Sequence, residues 1–195
     1  MKKLTNDHRT RVTRMLIRRA LMSLLAQKPI QSISVKELCE LAGINRSTFY
    51  AHYTDLHDLL QQIEDEMFAD FEKALETLYQ PGTAGPEPVA VTTEVFQCLK
   101  DNSDLCTVTL SDYGDKAFAL KLLQRGRECC VENYLQYFKG ASPRQVEYYY
   151  AFVSAGCIGL LRRWLDDGML LPAGELAEMA ENIMMRGLSF LQEER

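Results

Sequence analysis

Six side chains near the N-terminus combine types and spacings suited to recognising a nucleic acid. Arg46, Ser47, Thr48, Tyr50 and His52 fall within "GINRSTFYAHY" at 43–53, and Lys36 lies shortly upstream. An arginine can pair bidentately with a guanine edge, and serine or threonine hydroxyls reach bases or phosphates. Tyr50 and His52 can donate to phosphate oxygens, which fixes register without reading sequence; Lys36 adds a base or phosphate contact. Phe49 and Tyr53, spaced i, i+4, serve differently, anchoring a short helix on Leu38, Ile44 and Leu60. A helix this short does not persist alone in water, because nucleation is costly and few hydrogen bonds repay it. Its neighbours must hold it.

Those neighbours are legible as helices. A first helix is expected over about 9–27, with Ile17, Ala20, Leu21 and Leu24 on one face, ending at Lys28-Pro29 because a residue before proline leaves the α region. Ser34 opens a second helix, with Glu37 three residues on as a capping box; Val35, Leu38 and Ala42 point inward and Gly43 supplies a left-handed stop. Asn45 is the expected N-cap of the short third helix, 46–52. Two helices joined by a glycine turn, the second short and polar, form a helix-turn-helix, whose second helix enters the major groove.

Asp55 caps a fourth helix whose ladder Leu56, Leu59, Leu60, Ile63, Met67, Phe71, Leu75, Leu78 keeps to one stripe. "QPGTAGPEP" at 80–88 breaks it. Further helices are expected at 89–101, 104–111 (short or irregular), 115–138, 143–167 (Ser142 as N-cap, Pro143 at N1) and 174–191. Strand-like alternation is absent. The expected architecture is all-α, about nine helices, with a three-helix DNA-binding head at 1–54 and a larger helical domain for dimerisation and regulation at 55–195.

Charge agrees with that division. The 195-residue chain carries a net charge of −5, yet residues 1–54 hold ten Lys/Arg against three acids, or +7, leaving −12 for the remainder. A basic head on an acidic body suits a polyanionic partner at one end. No apolar run approaches the ~20 residues of a membrane span, and the N-terminus lacks a signal-peptide core, which reads as a cytoplasmic protein without a membrane partner. The six cysteines (39, 98, 106, 129, 130, 157) form no CxxC pair and read as reduced, buried thiols. No metal-ligand spacing, nucleophile–base pair, phosphate loop or dinucleotide fingerprint occurs, so neither metal, cofactor nor enzymatic activity is expected.

The helix at 143–167 is apolar on two faces, one carrying Tyr149, Val153, Cys157, Leu160 and Trp164, the other Tyr148, Phe152, Gly156 and Gly159. Such a helix needs two partners. Together with 174–191, where Ile183 and Gly187 share a face, it is expected to build a four-helix bundle with a second copy of the chain, giving a homodimer.

"SISVKELCELAGINRSTFYAHYTDLHDLL" (32–60) resembles the DNA-binding module of the TetR family of bacterial transcriptional regulators. The likeness rests on Ser34, Gly43, Thr48-Phe49-Tyr50, Tyr53 and Leu59-Leu60, with Ile17, Ala20, Leu21 and Leu24 matching the family's first helix. "YYYAFVSAGCIGLLRRWLDDGM" (148–169) is similar to the C-terminal domain of the branch that includes dihydroxyacetone kinase operon regulators. The resemblance implies that Lys36, Arg46, Ser47, Thr48, Tyr50 and His52 face an operator in double-stranded DNA. It implies a dimeric repressor whose body encloses a small-molecule effector, with Phe68, Phe96, Phe118, Leu122 and Tyr134 as candidate lining. One position departs: where the family usually has a phosphate-gripping lysine, this chain has Leu56, followed by His57. That departure supports an alternative, a coactivator or adaptor with the same fold that works mainly through a protein partner.

Overall fold

Ser34, Asp55 and Ser142 start helices where their side-chain oxygens can take up the first free N–H groups. Ser34 Oγ accepts from Glu37 N at 3.2 Å, Asp55 Oδ1 from Asp58 N at 2.8 Å and Ser142 Oγ from Gln145 N at 3.3 Å. The Ser142 cap is a complete box, with Gln145 Oε1 accepting from Ser142 N at 2.9 Å and Pro143 opening the helix. The computed structural model describes the backbone of residues 2–76, 88–114, 116–137 and 140–187; the side chains of 2–7, 76, 88–91, 130, 133, 134, 136 and 137 are outside that description. Among the described residues all regular structure is helical: α1 Lys2–Leu25, α2 Val35–Ala42, α3 Arg46–Tyr50, α4 Leu56–Glu76, α5 Pro88–Asp101, α6 Ser103–Thr109, α7 Lys116–Tyr137, α8 Pro143–Asp166 and α9 Ala173–Arg186, with a single 3-10 turn at Ile30–Ser32.

Several expectations are corrected. α1 begins at Lys2, well before residue 9, because the sequence of its first turns carries no apolar stripe to mark them. Asn45 sits at the N-cap of α3 with extended backbone, but its side chain makes no capping bond. At Ser34 the cap is the Glu37 N–H bond, while the Glu37 carboxylate holds Lys28 Nζ at 2.7 and 2.9 Å, and this bond keeps it below the usual carboxylate range. α9 stops at Arg186 rather than 191, since Gly187 takes φ 57°, outside the helical region.

The chain divides into two compact units, Met1–Met67 with Asp104–Lys116, and Phe68–Ser103 with Ala117–Arg195. The core of the first gathers Ile17, Leu21 and Leu25 of α1, Leu38 of α2, Phe49 of α3, Leu59 of α4 and Leu105 of α6, all essentially without solvent exposure. Removing such aliphatic and aromatic surface from water stabilises by about 1.5–3 kcal/mol per side chain. Arg18 of α1 clamps Asp104 of α6 bidentately, Nε to Oδ2 at 2.8 Å and Nη2 to Oδ1 at 2.7 Å.

In the second unit α5 packs along α9, and α8 also meets α9. Trp164 of α8 is buried, its Nε1 donating to Leu171 O at 3.1 Å and its ring meeting Phe96 edge-on at 6.0 Å. A second cluster joins Phe71 and Leu75 of α4 to Cys98 of α5 and Cys129 of α7. Burial pushes the Cys98 thiol up to about 11, and Asp70 and Asp101 add to the shift, so it packs as a small apolar group and not as a thiolate. Tyr150 Oη donates to Leu123 O at 2.6 Å, pinning α8 to α7.

Candidate nucleic-acid interface

α3 owes its position to what its inner residues bury. Phe49 is fully buried, and its ring stacks obliquely on Tyr53 at 5.6 Å and takes Tyr50 edge-on at 5.3 Å. Tyr53 is buried too, and its hydroxyl accepts from Arg14 Nε at 3.3 Å while Arg14 Nη2 pairs with Glu66. The α2–α3 turn is set by Gly43, whose φ of 67° and ψ of 33° are left-handed; its N–H reaches Glu40 O and the Ile44 N–H reaches Cys39 O. Only glycine, and to a lesser degree asparagine, takes this conformation without cost.

The stop of α3 and start of α4 are also held. Asp58 Oδ2 accepts from Thr54 N at 2.7 Å and from Thr54 Oγ1 at 3.1 Å, and Gln62 Nε2 donates to Asp58 Oδ1 at 2.9 Å. The Thr54 N–H and then Gln62 hold this carboxylate below its ordinary range. Sequence reasoning passed over Asp58; the spacing Thr54-x-x-x-Asp58 was the available signal. It also passed over Arg14, whose ties to Tyr53 and Glu66 join residues far apart in the chain.

With the inner residues fixed, the outer ones follow from helical geometry. Arg46, Ser47 and Tyr50 are exposed, Thr48 and His52 half-buried, and Lys36 on α2 exposed. Tyr50 shows 57% of its surface, high for an aromatic ring and an invitation to a partner. Lys36 Nζ lies 3.8 Å from Glu40, a loose i,i+4 pair on exposed side chains. Arg46 makes no ion pair among the described residues, and its guanidinium partly offsets the burial that raises the Cys39 thiol. Two short helices and the turn after the second thus present an arginine, a lysine, hydroxyls and an imidazole around a packed aromatic anchor. Leu56, at the start of α4, is buried, whereas His57 beside it is exposed. The residue at the usual phosphate-gripping position is here part of the core.

Four of the five residues named for an effector have described surroundings. Phe96 is spent on Trp164, Phe68 lies under Lys121 Nζ at 4.1 Å, and Leu122 packs on the Phe71–Cys129 cluster. Phe118 is buried, and the Tyr134 side chain lies outside the described residues. The residues named for a dimer share a property: Tyr148, Phe152, Gly156, Gly159, Ile183 and Gly187 are all exposed in the single chain.

Comparison with known proteins follows the same lines. Residues 17–63 match the family described as "Bacterial regulatory proteins, tetR family", and residues 87–186 match "Transcriptional regulator C-terminal region". A curated relative, the uncharacterized HTH-type transcriptional regulator YxbF of Bacillus subtilis, is 32% identical over 59 residues; the match spans 30% of this chain and only 16% of that protein's length. Among solved structures, FadR of Bacillus subtilis in complex with stearoyl-CoA superposes with a TM-score of 0.65 at 15% identity, covering 89% of this chain and 98% of that one. The dihydroxyacetone kinase operon activator DhaS superposes with a TM-score of 0.53 at 17% identity, covering 91% and 97%. These likenesses are of fold.

Proposed function

The chain belongs to the TetR family of bacterial transcriptional regulators, and from that premise we propose that it is a homodimeric, sequence-specific repressor whose operator affinity responds to a small effector in its C-terminal domain. The observation that carries the DNA-binding part is the division of labour on α3: Phe49 buried, Arg46, Ser47 and Tyr50 exposed. In this reading Arg46 specifies a base, Ser47 and Thr48 reach bases or phosphates, and Lys36, Tyr50 and His52 set the register.

One short recognition helix binds too weakly alone, so two copies are required on half-sites about 34 Å or a multiple apart. The exposed face of α8 supports this. Tyr148 and Phe152 show 66% and 73% of their surface, and a Cβ added to Gly156 or Gly159 would meet nothing within 4 Å among the described residues. No described neighbour requires a glycine at either position, while a partner helix closing on α8 would use the space. The effector acts by linkage: a ligand that prefers one spacing of the heads shifts DNA affinity by its differential binding free energy. Because the FadR neighbour holds stearoyl-CoA, a long-chain acyl-CoA is the first effector to screen.

The buried Leu56 favours a second reading, an adaptor acting mainly through a protein partner. A gel shift on DNA upstream of the protein's own gene separates the two. The repressor reading expects a specific, salt-dependent band with the pure protein. A band that forms only after a second protein is added supports the adaptor.

A further inference from the structure

Between His8 and Leu25, α1 carries five arginines and no acid. Two of them are spent within the first unit: Arg14 on Tyr53 and Glu66, Arg18 on Asp104. Arg9, Arg11 and Arg19 are exposed and make no ion pair among the described residues. The helix gains nothing from this arrangement, since like charges three residues apart, such as Arg11 and Arg14, work against it.

Position separates the three. Ile17 is the first buried residue of α1 among those described, and ahead of it His8, Arg9, Arg11 and Val12 are exposed. At Arg14 the helix meets the end of the recognition segment: Nε donates to Tyr53 Oη at 3.3 Å, and the Tyr53 ring lies 6.1 Å from that of His52. At a rise of 1.5 Å per residue, Arg11 and Arg9 follow about 5 and 8 Å further along the axis, turned to opposite flanks of the helix. Arg19 lies the other way, next to the Arg18–Asp104 clamp on α6.

We propose that the N-terminal half of α1 is a second DNA contact, in which Arg9 and Arg11 each grip a backbone phosphate beside the stretch read by α3. The proposal rests on the DNA-binding reading above and adds a sequence-independent part to it. A guanidinium fork matches the oxygens of a phosphate. An acidic protein surface would suit the same charges, but the Arg14–Tyr53 contact puts this end of α1 beside the residues that face DNA. Two such contacts also supply backbone grip where α4 begins with the buried Leu56.

Fluorescence anisotropy of the full chain tests this on two duplexes, the DNA upstream of the protein's own gene and a scrambled version, from 50 to 200 mM salt. Replacing both Arg9 and Arg11 by Ala is expected to lower the salt slope by about two on both duplexes, with the preference between them unchanged. The advantage of wild type over this variant then shrinks about twelvefold across that salt range. Arg19→Ala, which removes an equally exposed charge from the same helix, is expected to leave the slope nearly as it was. An unchanged slope in the double variant, a loss confined to one duplex, or an equal loss in Arg19→Ala would each overturn the proposal. Wild type that binds neither duplex would remove the DNA-binding reading and this proposal together, whereas binding with a slope indifferent to Arg9 and Arg11 removes this proposal alone.

Discussion

Arg18 and Asp104 stand 86 residues apart in sequence and meet through two hydrogen bonds of 2.7 and 2.8 Å. Replacing Asp104 by Asn removes the charge but keeps an oxygen for the Leu105 N–H, which now donates to Oδ1 at 2.8 Å. Breaking a fully buried pair costs about 3–5 kcal/mol. Here the side chains are 25% and 40% exposed, and solvent screening reduces the effect to about 1–2 kcal/mol. For a chain of this size each kcal/mol moves Tm by about 2–4 °C, so Asp104→Asn should lower the melting of the first unit by about 2–8 °C. Arg18→Met should cost a similar amount. The double variant should be no worse than either alone, giving a coupling energy of about 1 kcal/mol or more.

The pH dependence carries a sign. Burial alone would raise the Asp104 carboxyl, but Arg18 and the backbone N–H groups together hold it below its ordinary value. Its stabilisation is therefore complete above the unfolded value of about 4 and disappears as pH falls through the lower folded value. Wild type and Asp104→Asn should converge in acid. Melting curves by circular dichroism from neutral pH downward measure this. Additive single-variant effects, or a difference that persists in acid, would show that the pair is not coupled in this way.

Three further outcomes are expected. Phe49→Ala, at a fully buried site, should cost about 3–5 kcal/mol and lower the denaturant midpoint of the first unit. Gly43→Ala should cost about 1–2 kcal/mol by forcing a β-carbon into the left-handed region at φ 67°, and Gly43→Asn should recover part of that loss. Phe152→Glu, on the exposed face of α8, should give a monomer by sedimentation while leaving the melting of the first unit unchanged.

The head was largely legible because its instructions are local. Ser34, Gly43 and Asp55 act on backbone groups a few residues away, and the burial of Leu38, Phe49, Leu59 and Ile63 follows from spacing alone. What escaped was set by distant partners. Nothing near Asp104 announces Arg18, and nothing near Tyr53 announces Arg14. The start of α1 escaped because its first turns carry no apolar stripe, and the end of α9 because Gly187 fits a helical face by spacing while taking a non-helical φ. The outward set on α3 was readable as the remainder once the anchors were assigned. An aromatic ring lining a pocket and one packed on Trp164, as Phe96 is, have the same sequence signature.

Whether α3 reads base sequence through Arg46 is best measured by fluorescence anisotropy. Wild type and Arg46→Ala are titrated against the operator and a scrambled duplex across a salt series. Arg46→Ala is expected to lose about 1–3 kcal/mol of preference for the operator, with nonspecific binding changed little and the salt slope shifted by at most about one. Equal losses on both duplexes, with the preference intact, would contradict base reading and reduce Arg46 to a phosphate contact.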